Sequence, residues 1–344
     1  MGVQLGILVK ELKVGKIVDI DFFRGKIIAV DALPTLYEML AMIRDKRGLY
    51  LVDKSGRVTS HLVGLFNRVC RMLANEIRPV FVFDGPPHPL KMRELELRKK
   101  EKMEFQKKFI QAVLSGRYDE AKKLGKRAMF VNDEMIQSAK RLLKLMGIPI
   151  INAPHDGEAQ TAYLVKKEEA FVAAVRDWDA FLYGSPRIVM DLKLSPTPYV
   201  LPRFYELSEF LEKAEITLKQ LIDIAILIGT DYSPEGFEGI GPKKAYNLIK
   251  KYKSIEELIK HRKIKWKYDI PPDTIRNIFL NPDVTDNYTI EFREPNVEKV
   301  IEFLVEEYNF SRKRVQKELE DALRGIKRIQ LKLKQHTLDT FLSQ

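Results

Sequence analysis

Cysteine is almost missing from this chain. Cys70 stands alone among 344 residues, so no internal disulfide can form, and with only five histidines there is no Cys/His cluster to hold a structural zinc. A lone thiol suits a reducing compartment, and the expected location is the cytoplasm. Long apolar runs are missing too. None approaches the roughly 18 residues that span a bilayer, so no membrane association is expected. The opening segment MGVQLGILVKEL carries lysines and an acid where a secretory leader needs an apolar core, and no targeting signal is read there. No internal repeat is visible.

Apolar residues and positive charge are plentiful. Hydrophobic residues make up 45% of the chain, enough for one large core or two ordinary ones. Fifty-nine basic residues against 48 acidic ones give a net charge of +11, which favours an anionic partner such as nucleic acid over an acidic one, and no small-molecule substrate is expected.

Four short runs rich in β-branched or aromatic residues read as buried strands: KIIAV (26–30), RPVFVF (78–83), GIPIIN (147–152) and AFVAAV (170–175). Helical periodicity fills the stretches between them, in PTLYEMLAMIRD, SHLVGLFNRVCRMLANE and DEMIQSAKRLLKLMG, the last closing on Gly147 as a C-cap. This alternation predicts an α/β fold, a mainly parallel central sheet covered by helices on both faces.

Each strand is followed by acid. Asp31 and Asp84 close the first two, Asp156 and Glu158 follow the third, and Asp177 and Asp179 follow the fourth. Ligands of open α/β sheets bind where the carboxyl ends of the strands line a crevice, so these six should converge, and Asp231 at the end of LKQLIDIAILIGTD can reach the same mouth. Singly, each of these acids would be an ordinary loop or capping residue; the set is what points to function. Two carboxylates about 5 Å apart repel by roughly 3 kcal/mol at an effective dielectric near 20. Cations must neutralise such a group or protons must stay on it. Oxygen-only donors suit Mg²⁺, with Mn²⁺ as substitute, and two such ions are a known device for displacement at phosphorus.

Residues 91–127 interrupt the pattern with thirteen basic and six acidic residues in a polar helical stretch, which predicts a basic helical insert over the crevice. Further on, a Gly-Ile-Gly turn at Gly239–Gly241 precedes Lys243 and Lys244 at a helix start, the arrangement by which a helix-hairpin-helix grips phosphates. Residues 297–334 read as helical, and the tail QHTLDTFLSQ as detached.

These segments resemble the archaeal flap endonucleases, members of the structure-specific 5′-nuclease family. The likeness rests on VDALPTLYEML, TSHLVGLFNR, VFVFDGPPHPLK, APHDGEAQTAYL, RDWDAFLYGS, LIGTDY with GIGPKKA, and QHTLDTFL, and it runs nearly the length of the chain. The resemblance implies a PIN-like nuclease core in two parts (1–90 and 131–217), a basic helical arch (91–130), a helix-hairpin-helix region (218–290), C-terminal helices packed on the core (291–334) and a clamp-binding tail (335–344).

It also implies roles. Asp31, Asp84, Glu158, Asp177, Asp179 and Asp231 would hold two Mg²⁺ ions, with Asp156, where the family usually carries Glu, as a seventh member. Lys91 and Arg98 would contact the scissile phosphate from the base of the arch, and their seven-residue spacing, about two helical turns, lets both face one phosphate. Tyr37 would stack on a base beside the cleaved bond, with Arg68 near the same strand. Arg44, Thr59 and Phe310 would form a pocket for a one-nucleotide 3′ flap, and Gly239–Gly241 would bind K⁺ against duplex phosphates. Gln335, Leu338, Phe341 and Leu342 would dock on the sliding clamp. The activity implied is hydrolysis of 5′ flaps, with 5′-3′ exonuclease activity, by a protein monomeric when free, in Okazaki fragment maturation and base excision repair. A Holliday-junction resolvase or ribonuclease on the same scaffold and a non-catalytic clamp-bound DNA scaffold are the competing readings.

Overall fold

The computed structural model describes residues 3–125, 130–192, 194 and 200–342; the side chains at 93, 94, 97, 98, 121, 122 and 336–342 lie outside the description. Seven strands, β1 (Lys16–Ile17), β2 (Ile27–Asp31), β3 (Arg78–Phe83), β4 (Ile150–Asn152), β5 (Val172–Ala174), β6 (Arg187–Met190) and β7 (Arg203–Glu206), form one sheet in the order β1-β7-β6-β5-β2-β3-β4. The four strands expected from the sequence are neighbours, β5-β2-β3-β4, all parallel. β6 extends the parallel run, and β7 pairs antiparallel with both β6 and β1. These three escaped the sequence reading. β1 has two residues, and β7 has four that pass directly into a helix, too few for a period to register.

Side-chain alternation explains why apolar runs rather than alternating patterns mark the central strands. Ile28, Val30, Phe81, Phe83 and Val172 enter the core on one face, while Ala29, Val80, Val82 and Ala173 enter the core on the other. Both faces are dry, so both parities must be apolar.

Helices α1 (Gly6–Glu11), α2 (Ala32–Met42), α3 (Ser60–Ala74), α6 (Asp133–Leu145), α7 (Gly157–Lys166), α8 (Asp179–Leu182) and α9 (Leu207–Ala214) surround the sheet, and α4 (Met92–Leu114) and α5 (Tyr118–Gly125) lie between β3 and α6 in the chain. α6 ends as its sequence predicts. Gly147 adopts φ +70°, and the amides of Gly147 and Ile148 bond the carbonyls of Lys144 and Leu143 at 3.1 and 2.9 Å. α4 and α5 are the basic insert, leaving the body after β3 and packing on each other.

α10 (Leu218–Ile228), α11 (Pro242–Tyr252), α12 (Ile255–Lys260) and α13 (Pro272–Leu280) share an apolar core with one face of the sheet. The buried Arg276 guanidinium donates to Asp223 Oδ1 at 2.6 and 2.8 Å and ties α13 to α10. α14 (Val297–Ile301) continues as a π-helical turn, Glu302–Glu307, before α15 (Arg312–Leu342) crosses α3. The helical expectation for 297–334 is thus interrupted around Tyr308. The tail expected to be detached instead prolongs the axis of α15 through 335–342. Among the described residues no helix is long and apolar enough to cross a membrane.

Candidate metal and nucleic-acid site

Parallel pairing aligns the carboxyl ends of β2, β3 and β5. Asp31 is the last residue of β2 and Asp84 follows the last of β3; Asp31 registers with Val82, and Val30 with Ala174. Asp156 is the N-cap of α7, its carboxylate accepting the Glu158 amide at 3.3 Å, and Glu158 lies in the same first turn, where amide dipoles favour negative charge. Asp177 lies on the turn after β5, Asp179 opens α8, and Asp231 lies on the loop after α10. All seven acids line one cleft of about 760 Å³, together with Tyr37, Lys91 and Lys102.

Three of them are tightly grouped. Glu158, Asp177 and Asp179 each offer an oxygen lying within 4.8 Å of the others'. Beside them, Asp31 is 5% exposed, and its Oδ1 is buried without a hydrogen-bond partner. The Gly157 amide donates to Asp84 Oδ1 at 2.8 Å.

Proton affinities rise accordingly. Burial, then Asp84, Asp156 and Asp177, push Asp31 well above the usual carboxylate range. Burial and then Asp156 raise Asp84 to about 6. Glu158 is raised by burial, then by Asp177, Asp179 and Asp31; Asp179 is raised by burial and then by Asp177. An orphaned buried oxygen among hard, oxygen-only donors fits a divalent cation such as Mg²⁺ or Mn²⁺.

Asp156 and Asp231 are neutralised from within the cleft. Lys91 Nζ lies 2.5 Å from Asp156 Oδ2 and 3.4 Å from Asp231 Oδ2. Burial opposes its charge, yet Asp156, Tyr232 and Asp231 hold its proton well above the ordinary lysine range. The Tyr183 hydroxyl donates to Asp156 Oδ2 at 2.8 Å.

The other candidate residues are placed less uniformly. Tyr37 accepts a hydrogen bond from Lys102 Nζ at 3.3 Å, so α4 closes over α2 at the cleft mouth. The side chain of Arg98 lies outside the described residues. Arg68 donates to Glu38 at 3.0 Å in a small cavity of about 140 Å³ that shares Asp31 with the main cleft. Thr59 and Phe310 line one cavity of about 570 Å³ with Tyr308 and Arg314. Arg44 is not among its lining residues. Its guanidinium stacks 3.8 Å over the Tyr50 ring and reaches the Gly125 carbonyl at 3.3 Å, where α5 ends.

Gly239, at φ +68°, turns the chain into Gly241, the N-cap of α11. Lys244 Nζ donates to the Gly239 carbonyl at 3.0 Å, and Lys243 pairs with Glu11. Gln335 is exposed, and the side chains of Leu338, Phe341 and Leu342 lie outside the described residues.

Gly157, Tyr183, Tyr232 and Lys102 were not singled out from the sequence. Gly157 had a signal, being the glycine between two candidate acids. Tyr183 had another, standing one helical turn beyond Asp179.

The XPG N-terminal domain matches residues 1–105 and the XPG I-region matches residues 147–231. The chain is 43% identical to flap endonuclease 1 of Thermofilum pendens over 334 residues, covering 94% of this chain and 96% of that one. It is 44% identical to flap endonuclease 1 of Archaeoglobus fulgidus, covering 97% and 99%. The solved structure of flap endonuclease-1 from Methanococcus jannaschii superposes with a TM-score of 0.77 at 37% identity, over 95% of this chain and 99% of that one.

Proposed function

The chain belongs to the flap endonuclease family, and we propose that it hydrolyses DNA at the base of 5′ flaps with two Mg²⁺ ions held in the acid-lined cleft. It is a metal-dependent, structure-specific nuclease. The observation that carries the reading is one cleft lined by seven acids and flanked by the basic helix α4.

Asp31, Asp84, Glu158, Asp177, Asp179 and Asp231 would hold the ions, with Asp156 at the edge of the set. When bound, such ions activate water and neutralise charge on the leaving oxygen. Lys91 and Arg98 would bring positive charge to the scissile phosphate, where developing negative charge is stabilised. Tyr37 would stack on the adjacent base and Arg68 would steady the same strand. Thr59 and Phe310 would receive a 3′ flap nucleotide in their shared cavity, with Arg44 outside it. Cleavage would leave a 5′-phosphate and a 3′-hydroxyl, and the same chemistry at a 5′ end gives exonuclease action.

Division of labour would follow the chain. Residues 1–90 and 131–217 form the nuclease core, 91–130 the arch, 218–290 the duplex grip, 291–334 a brace and 335–344 a sliding-clamp peptide. The carbonyl of Gly239 already accepts from an ammonium, which supports a cation such as K⁺ at that turn. A monomer acting in the cytoplasm on Okazaki fragments and repair intermediates completes the reading.

The test is cleavage of a double-flap substrate with Mg²⁺, beside a four-way junction and a plain duplex. Fastest cutting at the flap is expected. Preference for the four-way junction would make the protein a resolvase, and tight flap binding without cleavage would make it a scaffold.

A further inference from the structure

Lys91 points into the acids rather than outward. Its ammonium is shared by Asp156 Oδ2 at 2.5 Å and Asp231 Oδ2 at 3.4 Å, and it lies 4.8 Å over the Tyr232 ring. Two carboxylates and one aromatic face are a fitting shell for a cation with three N–H donors. The Tyr183 hydroxyl fixes the same Asp156 oxygen from a second side at 2.8 Å, so the carboxylate is held in this pose. Three other acids of the cleft differ. Glu158, Asp177 and Asp179 converge within 4.8 Å, and among the described residues no lysine or arginine forms an ion pair with any of them. Glu158, Asp177 and Asp179 are therefore open to an external cation, while Asp156 and Asp231 carry one of their own.

Lys91 also sits at a mechanical junction. It closes a short helical turn, Pro89–Lys91, and the next residue begins α4, so a movement of its side chain bears on the base of the arch.

We propose that the Lys91 ammonium is a built-in counter-ion at the Asp156–Asp231 end of the cleft. A divalent cation binding there must displace it, and the displacement frees it at the base of α4 for phosphate. Two cations cannot share the same pair of carboxylate oxygens without strong repulsion, so binding of the second ion competes with the lysine. Linkage makes the effect reciprocal: a phosphate that draws Lys91 away strengthens binding of the second ion, and substrate and metal load together. The two groups of acids then differ in affinity before DNA arrives, the open one tight and the lysine-filled one weak.

The inference rests on the two-ion reading of the cleft, and one titration separates the two. Mn²⁺ is titrated into metal-free protein without DNA, following free Mn²⁺ by its electron paramagnetic resonance signal, for the wild type and for Lys91→Met. The expected wild-type result is one tight and one weak site. In Lys91→Met the weak site tightens by about tenfold or more, while the tight one changes less than about threefold. Lys91→Gln gives a second neutral side chain, and both variants are checked for folding by circular dichroism. Two sites whose affinities match the wild type, or a second site weaker than the wild type's, would overturn the counter-ion role and leave the two-ion reading standing. A single Mn²⁺ site in every protein would overturn the two-ion reading and the inference with it.

Discussion

The backbone amide of Gly157 donates to Asp84 Oδ1 at 2.8 Å, and a β-carbon at position 157 would lie 3.2 Å from that oxygen and 3.3 Å from Asp31 Oδ1. The residue between Asp156 and Glu158 has no side chain, so Asp84 and Asp31 approach the N-terminus of α7 at distances that a β-carbon would crowd.

Gly157→Ala should therefore impair chemistry more than folding. Alanine is the better helix former, but its methyl group displaces carboxylates that must hold their positions within a few tenths of an ångström. Turnover on a flap substrate is expected to fall by about 10²-fold with little change in melting temperature. Wild-type turnover would show that Asp31 and Asp84 yield freely.

Asp179→Asn should separate cleavage from binding. Asp179 accepts the Val3 amide at 2.8 Å, a bond the asparagine oxygen can keep, while the negative charge in the Glu158–Asp177–Asp179 group is lost. Cleavage should drop by at least about 10²-fold, with flap affinity measured by fluorescence anisotropy essentially retained. Undiminished turnover would remove Asp179 from the site.

Divalent ions should stabilise the fold more at neutral than at acid pH. Asp84 titrates at about 6 in the folded protein against 3.8 when free, and Asp31, Glu158 and Asp179 shift the same way. Over that interval the metal-free folded state binds more protons than the unfolded one, so the contribution of these acids to stability falls as pH rises. Bound cations relieve that penalty. Buried His61, lowered to about 4, acts in the opposite direction but equally with and without metal, and cancels in the difference. The gap in melting temperature between Mg²⁺-loaded and EDTA-treated protein should widen by several degrees from about pH 5 to about pH 7.5. A gap that stays constant would mean the acids are not the site of stabilisation.

Deleting residues 335–344 should leave basal flap cleavage unchanged and abolish stimulation by a sliding clamp. Gln335 is exposed and lies beyond the Lys332–Glu76 ion pair that ties α15 to the body. Loss of basal activity would assign the tail a structural part.

Local pattern carried a long way here. The apolar runs at 26–30, 78–83, 147–152 and 170–175 mark four parallel strands of the sheet, and the acids that follow them share one cleft because parallel strands present their carboxyl ends together. The excess of lysine and arginine in 91–127 marks an element that packs on itself rather than on the core. Those properties are written in composition and short-range periodicity.

Tertiary structure decided the rest, because it depends on which strand lies beside which. The order β5-β2-β3 brings Asp177 next to Asp31 and Asp31 next to Asp84, and no spacing along the chain encodes that. The short strands β1, β6 and β7 are stabilised by their partners rather than by any pattern of their own. Only the fold turns Lys91 inward onto Asp156 and Asp231 and sets Tyr183 against the same oxygen. Charge and hydrophobicity along a chain say which side chains need partners; three-dimensional packing chooses the partner.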